Sequence, residues 1–327
     1  MNKWVKRMSL TLAAALSVAM LGGCGAKEKA QVNVAALNGP TGIGMVKLME
    51  DNDAGAARNA YTVTLAGAPD DIVGKLTSGE VDIAAVPTNL AATLYKKTEG
   101  NIQVLALNTM GVLYVVENGD TIHSVADLAG KTVGGSGQGS TPEYVWNYIL
   151  EQNGVKDVKT EYKSEHSELA ALLASGELKA AVLPEPFVTT VLSKNENLRV
   201  ALNLTEQWNK LVQDKGGKGG LTQGCIVVRK DFAQANPDAV KAFMEDYAAS
   251  VQYVNENVAD AAKLVEKRGI IASAALAEKA IPNCNIVCIE GQEMKDTLSG
   301  FLQVLYAANP KSVGGALPGD DFYYGVE

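Results

Sequence analysis

Imidazole is scarce in this chain of 327 residues, which carries only two histidines, His123 and His166. With so few, and no Cys-x-x-Cys pair, a zinc site lacks ligands. No Ser–His or Cys–His pairing marks nucleophilic catalysis, so neither a metal nor a cofactor is expected. Arginine is also rare, with five in all: Arg7, Arg58, Arg199, Arg229 and Arg268. Acids outnumber lysine and arginine 37 to 29, a formal net charge of −8, which argues against nucleic acid as a partner. No Gly-Lys-Ser/Thr follows the glycine-rich turn at 38–44, so it is not a phosphate loop, and the glycines of 134–139 do not give G-x-G-x-x-G, so a dinucleotide fold has no support. The apolar run Leu10–Leu21, interrupted by Thr11 and Ser17, is too short for a membrane span of about 20 residues.

That run is instead part of an export signal, residues 1–23, with Lys3, Lys6 and Arg7 as its positive start. Leu21-Gly22-Gly23-Cys24 resembles a bacterial lipobox, in which the cysteine is acylated and becomes the N-terminus. Residues 24–31 would then be a tether, and the protein would sit lipid-anchored on the extracytoplasmic face of the cell membrane. Losing the three cations of the signal takes the net charge from −8 to −11. Three cysteines remain, an odd number that rules out a complete disulfide framework. Cys284 and Cys288 either pair across a loop or stay as buried thiols.

The remaining ~300 residues favour two domains. A repeat supports this: Ile72–Pro87 and Leu169–Pro184 align without a gap at an offset of 97 residues, sharing Ser-Gly-Glu and a closing proline. Each copy predicts a helix ended by glycine, an apolar strand buried on both faces, and a proline that stops the strand. Two copies point to two similar α/β lobes, since a solenoid needs three or more. Strands are expected at Val32–Leu37, Tyr61–Ala66, Ile102–Leu107, Val112–Glu117, Asp157–Tyr162 and Leu198–Leu202. Thr88 and Asn89 are expected to cap a helix reaching Lys97. Gly134–Pro142 is expected to form a loop, with Ser140 or Thr141 as the cap of the next helix. From Asn236 the chain reads as mainly helical, interrupted by a loop at Ile281–Ile289.

The lipobox, the Gly/Thr-rich turn at 38–44, L-T-S-G-E-V-D-I-A-A-V-P, A-A-V-L-P-E-P-F and the closing G-G-A-L-P-G-D-D-F-Y-Y together resemble one family. They are similar to the solute-binding proteins of bacterial ABC importers, in the nitrate/sulfonate/taurine and thiamine-precursor branch. The resemblance implies a two-lobed, type II periplasmic-binding-protein-like α/β fold with two inter-lobe crossings and a ligand cleft. Lobe 1 would take 32–111 plus 226–327 and lobe 2 would take 112–225, with crossings near Gly111–Gly119 and Thr222–Val228. The implied partners are a small-molecule solute, an ABC permease with its ATPase, and the membrane through Cys24. An enzyme of the same fold and a surface sensory receptor are the alternatives.

Ligands in open α/β sheets bind beyond the carboxyl ends of the strands. That rule puts Asn38, Thr41, Gly42, Thr88 and Asn89 in the cleft from lobe 1. From lobe 2 it adds Ser136, Gln138, Ser140, Thr141, Glu185 and Phe187, with Gln223 beside a crossing. Tyr95, Tyr114, Tyr144 and Trp208 either stack on a flat ligand or serve as core. None of the four arginines after the signal falls in an expected cleft loop. Glu185 either meets a donor group of the ligand or caps the following helix. With no arginine nearby, it favours a neutral or amine-bearing solute over an oxyanion.

Overall fold

The two copies of the repeat form the same local structure. In the first, the helix Pro69–Ser78 ends at Gly79, whose φ of 82° is left-handed. In the second, the helix His166–Ser175 ends at Gly176 with φ 83°. A side chain in that conformation costs about 1 kcal/mol, which explains a glycine at both sites. The strands that follow, Ile83–Pro87 and Ala180–Pro184, are buried at every position.

The computed structural model describes residues 29–216 and 220–326. The expected export signal, Cys24 and most of the tether lie outside the described residues. The chain first lays down β1 (Gln31–Leu37), β2 (Ala60–Ala66), β3 (Ile83–Pro87) and β4 (Ile102–Met110). It then builds β5 (Leu113–Asn118), β6 (Thr132–Ser136), β7 (Lys159–Lys163), β8 (Ala180–Pro184) and β9 (Leu198–Asn203). Finally β10 (Thr222–Arg229) and β11 (Ile286–Ile289) return to the first group. The result is two sheets, ordered β11-β4-β10-β3-β1-β2 and β7-β6-β8-β5-β9.

The sheets repeat one design. In each, three parallel strands joined through helices lie in the order β2-β1-β3 or β7-β6-β8. Beside the third strand runs an antiparallel one, β10 in the first sheet and β5 in the second. Because β5 pairs with β8 from Leu113, the first crossing is only Gly111–Val112. The second crossing ends before Thr222, since β10 hydrogen-bonds to β4 from Thr222 and to β3 from Gly224. The first sheet therefore takes residues 222–225, which the sequence reading gave to the second lobe.

The C-terminal helices pack on the first sheet's side. Ser250, on the helix Pro237–Glu256, donates to the Gly44 carbonyl at 2.7 Å and accepts from the Leu48 amide at 3.1 Å. The helix Gly291–Ala308 also carries Phe301 against Trp208, with ring centroids 5.1 Å apart, so one continuous core reaches both sheets. Tyr148 closes on the other side of Trp208 at 4.8 Å.

Three local expectations change. Gly134, Gly135 and Ser136 are strand residues rather than loop, and the turn is confined to Gln138 and its neighbours. A Cβ on Gly134 would lie 2.5 Å from Leu169, and one on Gly135 would lie 2.9 Å from Thr160, so these glycines serve packing. Ile286–Ile289, read as loop, is the edge strand β11, antiparallel to β4. Thr88 and Asn89 begin the helix Thr88–Lys97 but do not cap it, because Pro87 holds the cap position. Cys225, Cys284 and Cys288 are free thiols.

Candidate functional site

A cavity of about 100 Å³ lies between the carboxyl ends of the two sheets. The first sheet walls it with Leu37–Thr41 after β1, Gly67–Pro69 after β2 and Pro87 at the end of β3. The second sheet contributes Gly137, Ser140 and Pro142 after β6, Ser164–His166 after β7, and Pro184, Glu185 and Phe187 after β8. Thr109, Val112 and Gln223 close it at the crossings. Five of the lining residues are prolines, whose fixed φ presets the shape of the walls.

Six of the residues expected from the sequence line this cavity: Asn38, Thr41, Ser140, Glu185, Phe187 and Gln223. Thr41 donates its hydroxyl to the Leu37 carbonyl at 3.1 Å, closing the turn after β1. Gly42 does not line the cavity; a Cβ there would meet the Leu37 carbonyl at 2.7 Å, so glycine is needed for the close turn. Ser140 takes the expected cap position of the helix Thr141–Gln152, but its hydroxyl donates to the Gly137 carbonyl at 2.6 Å.

Thr88, Asn89 and Thr141 face one another instead of the cavity. Thr141 donates to the Asn89 side-chain carbonyl at 3.0 Å, and the Asn89 amide donates to the carbonyls of Gly139 at 3.2 Å and Ser312 at 3.1 Å. The Thr88 hydroxyl lies 3.4 Å from that of Thr141 and donates to the Thr222 carbonyl at 3.1 Å. These contacts tie the second sheet's helix start to the first sheet's. Gln138 is outside the lining, and Ser136 reaches it only through His166, 2.5 Å from the imidazole Nδ1.

Of the two alternatives for Glu185, the structure shows a contact with the start of the following helix, although Pro186 holds the cap position. Glu185 is 3% exposed, lines the cavity, and accepts from the Thr189 amide at 3.1 Å and the Thr189 hydroxyl at 3.0 Å. Burial pushes its carboxyl above the ordinary range, against the pull of the Thr189 hydrogen bonds. His166, one of several lining residues that sequence reasoning missed, packs its ring 5.5 Å from that of Phe187. Burial pushes the imidazole down to about 4, so it is neutral at physiological pH. The strand-end rule, applied to β2 and β7 as well as to the other strands, would have found Gly67–Pro69 and Ser164–His166. Tyr95, Tyr114, Tyr144 and Trp208 do not line the cavity.

Among the described residues no group of three or more His, Cys, Asp or Glu side chains could hold a metal ion. Nor is any helix there long and apolar enough to cross a membrane.

Residues 58–272 match the family model described as the periplasmic substrate-binding protein of phosphonate ABC transporters. No curated protein matches the chain. Among solved structures, an ABC transporter from Parabacteroides distasonis is 27% identical with a TM-score of 0.74, over 90% of this chain and 99% of that one. The alkanesulfonate-binding protein SsuA from Xanthomonas axonopodis pv. citri, bound to MOPS, is 16% identical with a TM-score of 0.67, over 90% and 96%. The periplasmic nitrate-binding protein NrtA from Synechocystis is 14% identical with a TM-score of 0.57, over 79% and 69%. At such identity the last two show a shared two-lobed fold and nothing about the ligand.

Proposed function

Since the chain belongs to the phosphonate family of periplasmic substrate-binding proteins of ABC transporters, we propose that it holds its solute in the cavity between the two sheets. The protein is the extracytoplasmic binding component of an importer, with a small molecule, a permease and its ATPase as partners. Its family and fold neighbours are transport proteins, not enzymes. The observation that carries the assignment of the cavity is its symmetry: each sheet walls it with the turns at the carboxyl ends of three parallel strands. Asn38, Thr41, Ser140, Glu185, Phe187 and Gln223 are the ligand contacts of this reading, joined by His166.

The moving bodies are residues 32–111 with 226–327 and residues 112–225, with 222–225 transferred to the first because they pair in its sheet. Solute released from protein purified from its own host should close the two bodies on re-addition. It should stabilise the protein by about 2.7 kcal/mol at a hundredfold excess over Kd. An unchanged radius of gyration by small-angle scattering, with the solute saturating, would reject the hinge.

The lipid on Cys24 belongs to the same reading. The positive start, the short apolar run and Leu21-Gly22-Gly23-Cys24 support an anchor on the outer face of the cell membrane. Cys24→Ala is expected to abolish labelling by a radioactive fatty acid and to leave the chain uncleaved or shed into the medium. Absence of label on the unsubstituted protein would remove the anchor.

A further inference from the structure

The lining of the cavity contains two carboxylates, Glu165 and Glu185, and neither a lysine nor an arginine. The four arginines of residues 29–327 are held elsewhere in ion pairs. Arg58 pairs with Asp246, Arg199 with Glu117, Arg229 with Asp82, and Arg268 with Glu50 and Asp53. With His166 neutral, no positively charged side chain lines the cavity.

An oxyanion could still be held by helix N-termini, whose free amides favour negative charge. Four of the helices that open onto the cavity have an acid at their start, whereas Thr88–Lys97, which begins after Pro87, and the short Pro40–Ile43 have none in their first turn. The helix Pro69–Ser78 has Asp70 and Asp71 in its first turn. At Thr141–Gln152, Glu143 accepts from the Gly139 amide at 2.5 Å. Glu165 precedes His166–Ser175 and Glu168 lies in its first turn. At Phe187–Lys194 the Thr189 amide already donates to Glu185. An incoming anion would find a carboxylate near each of these four helix starts, and two of them, Glu165 and Glu185, in the cavity wall itself.

Two further atoms wait for a partner. The Gln223 side-chain carbonyl and the Thr109 hydroxyl are buried, lack a hydrogen bond and belong to cavity-lining residues; Thr109 is 1% exposed. The Gln223 oxygen can only accept, so it needs a donor. Each oxygen of Glu185 takes one hydrogen bond from Thr189 and has capacity for another. A buried carboxylate without a counter-charge is costly, and among the described residues no cation pairs with Glu185.

We infer that the solute is a small organic cation, an amine or amidine, whose N–H groups donate to Glu185 and Gln223. This rests on the cavity being the solute site, and it departs from the oxyanion named in the family's description. A cation entering there supplies the missing charge partner for Glu185 and the missing donor for Gln223.

Titration calorimetry of the full chain in mild detergent tests it with two size-matched panels. One contains primary amines and amidines; the other contains alkylphosphonates, alkylsulfonates and nitrate. The expected result is binding from the amine and amidine panel only. Glu185→Gln, which keeps an acceptor for the Thr189 amide, should then weaken that binding at least tenfold, about 1.4 kcal/mol. Gln223→Met removes the unpartnered acceptor, so it should weaken amine binding while leaving the melting temperature of the empty protein unchanged or higher. An oxyanion binding with equal or greater affinity would overturn the cation while leaving the cavity as the site. Amine binding insensitive to both substitutions would overturn the contacts named, and binding of neither panel would overturn cavity and cation together.

Discussion

Trp208→Ala is expected to destabilise the protein by about 3–5 kcal/mol. Trp208 is fully buried where three helices meet, wedged between Tyr148 and Phe301 at 4.8 and 5.1 Å. Tyr148 and Trp208 follow strands of the second sheet, whereas Phe301 belongs to the C-terminal helix that backs β4. The indole thus lies at the seam of the continuous core, and its removal opens a cavity that backbone on neither side can collapse into. Its Nε1–H has no hydrogen-bond partner, so the ring is held by packing alone. Trp208→Phe should therefore cost much less than alanine, because it keeps an aromatic ring and removes an unpaired buried donor. Denaturant unfolding of both variants checks the pair. Equal losses for phenylalanine and alanine would mean that the indole N–H matters more than the packing.

Asp82→Ala should cost about 3 kcal/mol or more. Asp82 is 6% exposed and lies just before β3. One carboxylate oxygen accepts from the Asn33 amide on β1 at 2.9 Å, and the other accepts from the Arg229 guanidinium on β10 at 2.9 Å. The acid therefore pins three adjacent strands of the first sheet at one end. Without it, the Asn33 amide loses its partner and the Arg229 side chain, 18% exposed, keeps only Asp231. Arg229→Met added to Asp82→Ala should restore part of the loss, since the stranded charge goes with it. Strictly additive losses in a double-mutant cycle would show that Asp82 acts through Asn33 alone.

The parts of the fold that could be read in the sequence are those set by local chemistry. Gly79 and Gly176 ended their helices, Pro87 and Pro184 ended their strands, and the apolar runs between them became central strands. Where pairing across the sheet decides, the sequence was silent. Thr222–Val228 read as a crossing, and only its partners β3 and β4 make it part of an interior strand. Ile286–Ile289 was too short to stand apart from a loop until β4 offered an edge. Gly134 and Gly135 looked like turn residues because glycine usually signals one, whereas Leu169 and Thr160 crowd them in a strand. In the site, the strand-end rule led to Asn38 and Glu185, which line the cavity, but it could not foresee the use of each group. Thr88, Asn89 and Thr141 stand at strand ends and helix starts as expected, yet they satisfy one another across the sheets.

The position of β10 sets the order in which the molecule can be finished. Every strand of the second sheet lies in one unbroken stretch, 113–203, whereas the first sheet has β10 between β3 and β4. A chain cut between Met110 and Thr222 holds β3 and β4 with nothing between them, and one cut before Ile286 still lacks the β11 edge. As the chain emerges from the N-terminus, the sheet begun first is the last that can close. Until then its apolar strands, β3 above all, have no partner on one side.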